Sequence, residues 1–194
     1  MSKLSAALPL VAATMLLATA PVAIAQSAAT IDLVHTSTTF SAKHLLISNV
    51  AGYIPVSSAK LELGKGNIPT SVEATMDLTK IDTHNDRRDN DLRSERFLDA
   101  AKYPEMTFKS TRVTAGTGGA FTIEGTLTMH GMTQPVSLNA AVEGSIRDNQ
   151  GRTHVGYSAT GSLDRGAWGG GAGVPSQVVG STIQITIEAV VIVS

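Results

Sequence analysis

From Thr30 onward, apolar side chains recur at every second residue, and short clusters of Gly, Asn, Asp and Pro interrupt them at hairpin-like intervals. Period two is the repeat of an extended strand, whose successive side chains leave opposite faces, so one face of each strand must be buried. Thr38, Phe40 and Ala42 alternate in this way, as do Leu61 and Leu63, then Val72, Ala74, Met76 and Leu78, then Met106 and Phe108. The pattern resumes with Phe121, Ile123, Leu127 and Met129, then Val136, Leu138, Ala140 and Val142, then Val155, Tyr157 and Leu163, and closes with Ile183, Ile185, Ile187, Ala189 and Val191. Such spacing predicts about eight antiparallel strands. The connections Gly64-Lys65-Gly66-Asn67, Gly116-Thr117-Gly118-Gly119, Gly131 to Pro135 and Asp148-Asn149-Gln150-Gly151 carry turn chemistry. Only Asp89 to Ala101 breaks the rhythm. There Leu92, Phe97, Leu98 and Ala101 take helix-like spacing before Tyr103-Pro104, which predicts one short helix inserted near residues 89–101.

Periodicity alone leaves a sandwich and a barrel open. Closure is favoured because the Cys-Trp-Cys marks of an immunoglobulin sandwich are missing and because up-and-down strand order needs only short turns. An eight-stranded barrel is just wide enough inside for side chains or one slim ligand. Many inward candidates are small, namely Thr38, Ala42, Ala74, Ala140 and Ala159, and the chain holds only four Phe, three Tyr and one Trp to fill the middle. Room for a guest is therefore expected. Shared strand or helix phase assigns its lining to Phe40, Ala42, Leu61, Met76, Phe97, Phe108, Ile123, Leu127 and Leu138.

Residues 1–25 read as a cleaved secretory signal peptide: Lys3 supplies the basic start, an apolar stretch runs from Ala6 to Ala20, and Ala23-Ile24-Ala25 offers the small-residue exit before Gln26. The stretch is too short to span a bilayer comfortably. A single mature domain, residues 26–194, is expected outside the cytoplasm. The chain has no Cys, which excludes a disulfide framework and a lipid-attached cysteine. Its formal charge of −1, or −2 once Lys3 is removed with the leader, gives no electrostatic reason to expect a nucleic acid or an anionic membrane surface and suits a neutral or weakly charged ligand.

Several segments together resemble the YceI-like family of lipid- and polyisoprenoid-binding proteins. They are Asp32-Leu33-Val34-His35-Thr36-Ser37, Phe40 with His44, Gly52, Ile81-Asp82-Thr83, Arg88-Asp89 with Leu92-Arg93-Ser94, and Phe97 to Pro104 leading into Thr107-Phe108-Lys109-Ser110. Gly125 to Gly131, Pro135-Val136 and Leu163-Asp164-Arg165 complete the order. Asp91 stands where the family often has His, and Phe97-Leu98 where it often has paired aromatics. The resemblance implies an all-β, lipocalin-like extended antiparallel barrel whose tunnel holds a polyisoprenoid or the tail of an isoprenoid quinone as ligand, with no cofactor required. It also implies a periplasmic location, and a tail drawn from a membrane makes transient membrane contact an expected partner interaction, by a monomer or homodimer.

Catalytic motifs do not assemble. Ser57-Ser58-Ala59-Lys60 matches S-x-x-K, but no S-D-N or K-T-G accompanies it and it lies at a strand start. Gly169-Gly170-Gly171-Ala172-Gly173 lacks the G-K-[ST] of a phosphate loop and reads as a flexible loop at a barrel end. His35, His44, His84, His130 and His154 are dispersed, with no metal-ligand spacing. His35, His44 and Arg88 are the candidates for head-group contact at the barrel mouth, with structural hydrogen bonding the competing role. Arg88-Asp89 and Asp164-Arg165 suggest an ion-pair and capping network, with Asp89 accepting from the helix start and Arg88 facing a carboxylate such as Asp164. No enzyme activity is expected. The alternative to a lipid carrier is a structural or adaptor barrel filled by its own side chains that binds a protein partner.

Overall fold

The computed structural model describes residues 27–193; the signal-peptide reading of residues 1–25 lies outside them. Nine strands follow in order: β1 (Ser27–His44), β2 (Ser48–Tyr53), β3 (Val56–Leu63), β4 (Pro69–Asp77), β5 (Glu105–Ala115), β6 (Ala120–Met129), β7 (Met132–Arg147), β8 (Thr153–Asp164) and β9 (Val179–Val193). Every pairing is antiparallel, and β9 returns to β1 after the run β3 through β8, which closes an eight-stranded barrel. The ninth strand adds no width. Strand β2 pairs with residues 39–44 of β1 and β3 with residues 27–30, so the two lie end to end against one long strand.

The alternating residues face inward as their phase requires. Leu78, Val155 and Val191 are fully buried, and Met76, Met106, Phe108, Phe121, Ile123, Leu127 and Leu138 are each under a tenth exposed. Small-residue turns join the strands, but the one between β6 and β7 is tighter than the run Gly131 to Pro135 suggests. It consists of His130 and Gly131, both at positive φ, while Pro135 lies inside β7 opposite Thr126. Paired left-handed residues match the twist of a two-residue hairpin, so the chain reverses before the proline is reached.

The inserted helix also differs from its expected span: α1 covers Asp86–Arg93, and turns occupy the residues that follow. Ser94 ends it, with its backbone N–H and its hydroxyl both donating to the Asp91 carbonyl, and the Ser94 carbonyl then accepts from Phe97, Leu98 and Asp99. Leu92, Phe97 and Leu98 thus share a face through a tight turn rather than a continuous helix.

Strand β1 carries a wide bulge. Asp32 faces Val190 and Ser37 faces Glu188, so β1 spends three more residues than β9 over that interval. The Asp32 carboxylate organises the surplus, accepting from the backbone N–H groups of Val34 and His35 at 3.0 and 3.3 Å and lying 2.8 Å from the His35 ring. The contact with His35 holds the Asp32 carboxyl below its ordinary range.

Candidate functional site

Two chambers occupy the barrel. The upper, of about 860 Å³, opens at the end where β1 meets β9 and α1 lies across the mouth. The lower, of about 140 Å³, sits deeper among Leu61, Val72, Ala74, Phe108, Ile123, Leu138 and Ala140. Thr38, Met106 and Ile185 line both, so the two chambers adjoin at these three residues. The upper volume lies in the roughly 300–1,000 Å³ range of small-ligand sites. The lower resembles apolar cavities of about 150 Å³, which stay dry and accept a group the size of benzene.

The mouth is built by the segment between β4 and β5. Its ends meet where the Leu78 N–H donates to the Pro104 carbonyl, and a bridge between Asp82 and Tyr53 ties it to β2. Within it, Leu78, Ile81 and Ala100 are buried. A polar network fixes α1 on this base. The buried Asp89 carboxylate accepts from the Thr83 backbone N–H at 2.9 Å and from the Thr83 hydroxyl at 2.5 Å. Arg88 donates through Nε to the Thr83 hydroxyl at 2.7 Å and through Nη2 to the Thr83 carbonyl at 2.8 Å. Capping falls to Asn85, whose side-chain oxygen accepts the Arg88 N–H, so Asp89 ties the helix to the preceding turn instead of capping it. Nor does Arg88 meet Asp164, which accepts the Gly166 N–H in a separate turn.

Arg165, expected in an ion-pair and capping network, instead organises backbone carbonyls. Its five N–H groups donate to the carbonyls of Gly170, Gly171, Val174, Val179 and Gly180, so the glycine-rich loop expected to be flexible is tied around one guanidinium. With every donor used, Arg165 has none left for a ligand. Arg88, by contrast, lines the upper chamber with its Nη1 amino group free of protein partners among the described residues.

The structure places Phe40, Ala42 and Phe97 on the upper chamber and Leu61, Met76, Phe108, Ile123, Leu127 and Leu138 on the lower. His44 joins Arg88 on the upper wall. His35 lines neither chamber: the bulge carries it onto the barrel wall, where its side chain is 69% exposed. The shared residues Met106 and Ile185 were absent from the expected lining although both keep the phase of Phe108 and Ile183. Polar side chains, among them Asn85, Arg87, Asn90, Asp91 and Ser94, gather on the α1 side of the upper chamber, and the deeper walls are aliphatic and aromatic. The tunnel is amphipathic from mouth to floor.

Comparison with known proteins agrees with this architecture. A model of the YceI-like domain matches residues 30–191. A UPF0312 protein of Vibrio parahaemolyticus is 35% identical over 131 residues, covering 67% of this chain and 69% of that protein. Among solved structures, a YceI protein of Campylobacter jejuni superposes with a TM-score of 0.70 at 27% identity, covering 76% of this chain and 87% of the other. A polyisoprenoid binding domain from Saccharophagus degradans, implicated in plant cell wall breakdown, superposes at 0.60 with 14% identity, covering 87% and 99%.

Proposed function

This chain belongs to the YceI-like family, and on that premise we propose that it holds one long apolar lipid, a polyisoprenoid or the tail of an isoprenoid quinone, in the barrel tunnel and carries it without chemically altering it. The observation that carries the reading is the tunnel itself, two chambers meeting at Thr38, Met106 and Ile185 with polar groups at the mouth and an apolar floor. A chain of repeating methyl-branched units suits such a lining, and a polar head at the α1 side would face Arg88 and His44. The Saccharophagus domain with the same fold is described as polyisoprenoid binding, which agrees with this ligand class. Exported by its leader, the protein would work in the periplasm and touch the membrane only to exchange its cargo.

Energetics allow exchange. Each buried methylene is worth about 0.8 kcal/mol against water, but the tail leaves a bilayer where it is already dry. The tunnel needs only to match the membrane interior. A filled adaptor barrel is disfavoured because open volume remains where its own side chains would be required. Titrating delipidated protein with an isoprenoid quinone while following Trp168, the sole tryptophan, tests the proposal. Saturable quenching at one equivalent is expected. Absence of quenching and of any co-migrating quinone would refute it.

A further inference from the structure

We propose that the tip of the β1–β2 hairpin, Leu45-Leu46-Ile47, docks the barrel on an anionic lipid bilayer and so sets the tunnel mouth at the membrane surface. The inference deepens the lipid-tunnel reading and rests on it for its purpose, although its observations are separate. The first is backbone conformation. Leu45 and Leu46 have φ of 51° and 64°, and the Ile47 N–H donates to the His44 carbonyl, so the two leucines occupy the centre of a tight turn that favours Asn-Gly. Large aliphatic residues are unfavourable there. Their presence is not explained by turn formation.

The second observation is exposure. Leu45 is 51% exposed, Leu46 62% and Ile47 85%, and Val178, whose carbonyl accepts the Leu45 N–H, adds a fourth apolar side chain at 40%. The other strongly exposed aliphatics do not combine in this way: Ile146 stands singly near the β7–β8 turn, and Leu33 and Val34 ride on the bulge of β1. Four partly exposed side chains make a small patch beside the roughly 20 to 30 residues and ~800 Å² a side of a standard protein interface. That is little for a stable dimer. It suffices for a wedge that enters the boundary between head groups and acyl chains.

Position and charge identify the occupant. Lys43, His44, Val178 and Val179 belong to the wall of the upper chamber, so the tip stands on the rim of the mouth. Lys43, Arg87 and Arg96 line the same chamber wall, are exposed and take part in no ion pair among the described residues; Asp91 is the one exposed carboxylate in that lining, and Asp86 and Glu95 are exposed next to Arg87 and Arg96 in the chain. Exposed aliphatic side chains beside unpaired cations match the two layers of an anionic membrane, in which phosphates lie above the acyl chains.

The test is sedimentation with vesicles of mixed phosphatidylethanolamine and phosphatidylglycerol, against vesicles of phosphatidylcholine alone. The wild type is compared with Leu45→Asn/Leu46→Gly, which gives the turn its favoured residues while removing the wedge. The variant should melt no lower than wild type, yet its sedimentation with anionic vesicles should fall by about tenfold or more. Wild-type binding should weaken in salt and on neutral vesicles. Equal sedimentation of wild type and variant, or none by wild type, overturns the proposal. So does a wild-type dimer that the variant dissociates, which would assign the tip to a second copy. Uptake of a polyprenol from detergent micelles separates the two readings. Uptake without vesicle binding defeats the docking inference alone, and vesicle binding by the tip without uptake defeats the tunnel reading and leaves docking standing.

Discussion

Asp89→Ala should be among the most damaging single changes at the tunnel mouth, because the carboxylate it removes is buried and accepts two hydrogen bonds from Thr83. Hydrogen bonds to a charged acceptor contribute about 1.5–3 kcal/mol, and buried donors left unpaired add their own desolvation cost. A loss of about 3 kcal/mol follows, which for a domain of this size lowers the melting temperature by roughly 6–12 °C. Arg88→Ala removes the two donors to Thr83 from the other side and should cost about half as much. Thr83 stands between the two residues, so their effects must couple: urea unfolding of both singles and the double should give a non-additivity above about 1 kcal/mol. Asp164 accepts from Gly166 in another turn. Arg88→Ala with Asp164→Ala should therefore add to within about 0.5 kcal/mol. Additive losses for Arg88 with Asp89, or coupling of Arg88 to Asp164, would refute the network.

Gly125→Ala should destabilise by about 2–3 kcal/mol, since a Cβ would lie 2.5 Å from both the Lys109 carbonyl and the Phe108 ring. Gly52→Ala meets movable side chains, Phe40 at 2.5 Å and Thr83 at 2.7 Å, so chemical denaturation should show a smaller loss accompanied by weaker ligand binding. Ala74→Phe should fill the lower chamber and shift the preferred ligand to a shorter chain in competition assays, with an unchanged preference counting against the depth assigned to the tunnel. Burial pushes the Tyr157 hydroxyl up to about 12, and it donates to the Asn67 carbonyl. Because the folded value is raised, the contribution is complete below the ordinary tyrosine range near ~10 and is lost as pH climbs from there toward ~12. Tyr157→Phe should flatten that part of a melting-temperature profile.

The barrel wall was legible because one repeat, period two, decides which side chains face inward. Met76, Phe108, Ile123 and Leu138 reach the tunnel with no other information. What escaped depends on contacts that periodicity does not encode. The three extra residues around His35 look like strand in sequence, and side-chain bonds from the Asp32 carboxylate and the Thr36 hydroxyl hold them in a bulge that carries the histidine away from the mouth. The limits of α1 are set by Asn85 and Ser94, side chains common in any loop, while the apolar spacing of Leu92, Phe97 and Leu98 imitates a longer helix. Arg165 gathers backbone carbonyls, which carry no residue signature. Arg88 lines the upper chamber, but its hydrogen-bond partner there is the uncharged Thr83 and not a carboxylate such as Asp164, and a search for ion pairs does not find a threonine.

Native mass spectrometry of the protein purified from its own cells, followed by organic extraction and identification of whatever is released, tests the central claim most directly. The tunnel reading predicts a mass increment of one prenyl-chain lipid per barrel that extraction removes and that exogenous polyprenol restores. A protein that always flies at its bare polypeptide mass, and that takes up no polyprenol when offered, would contradict it.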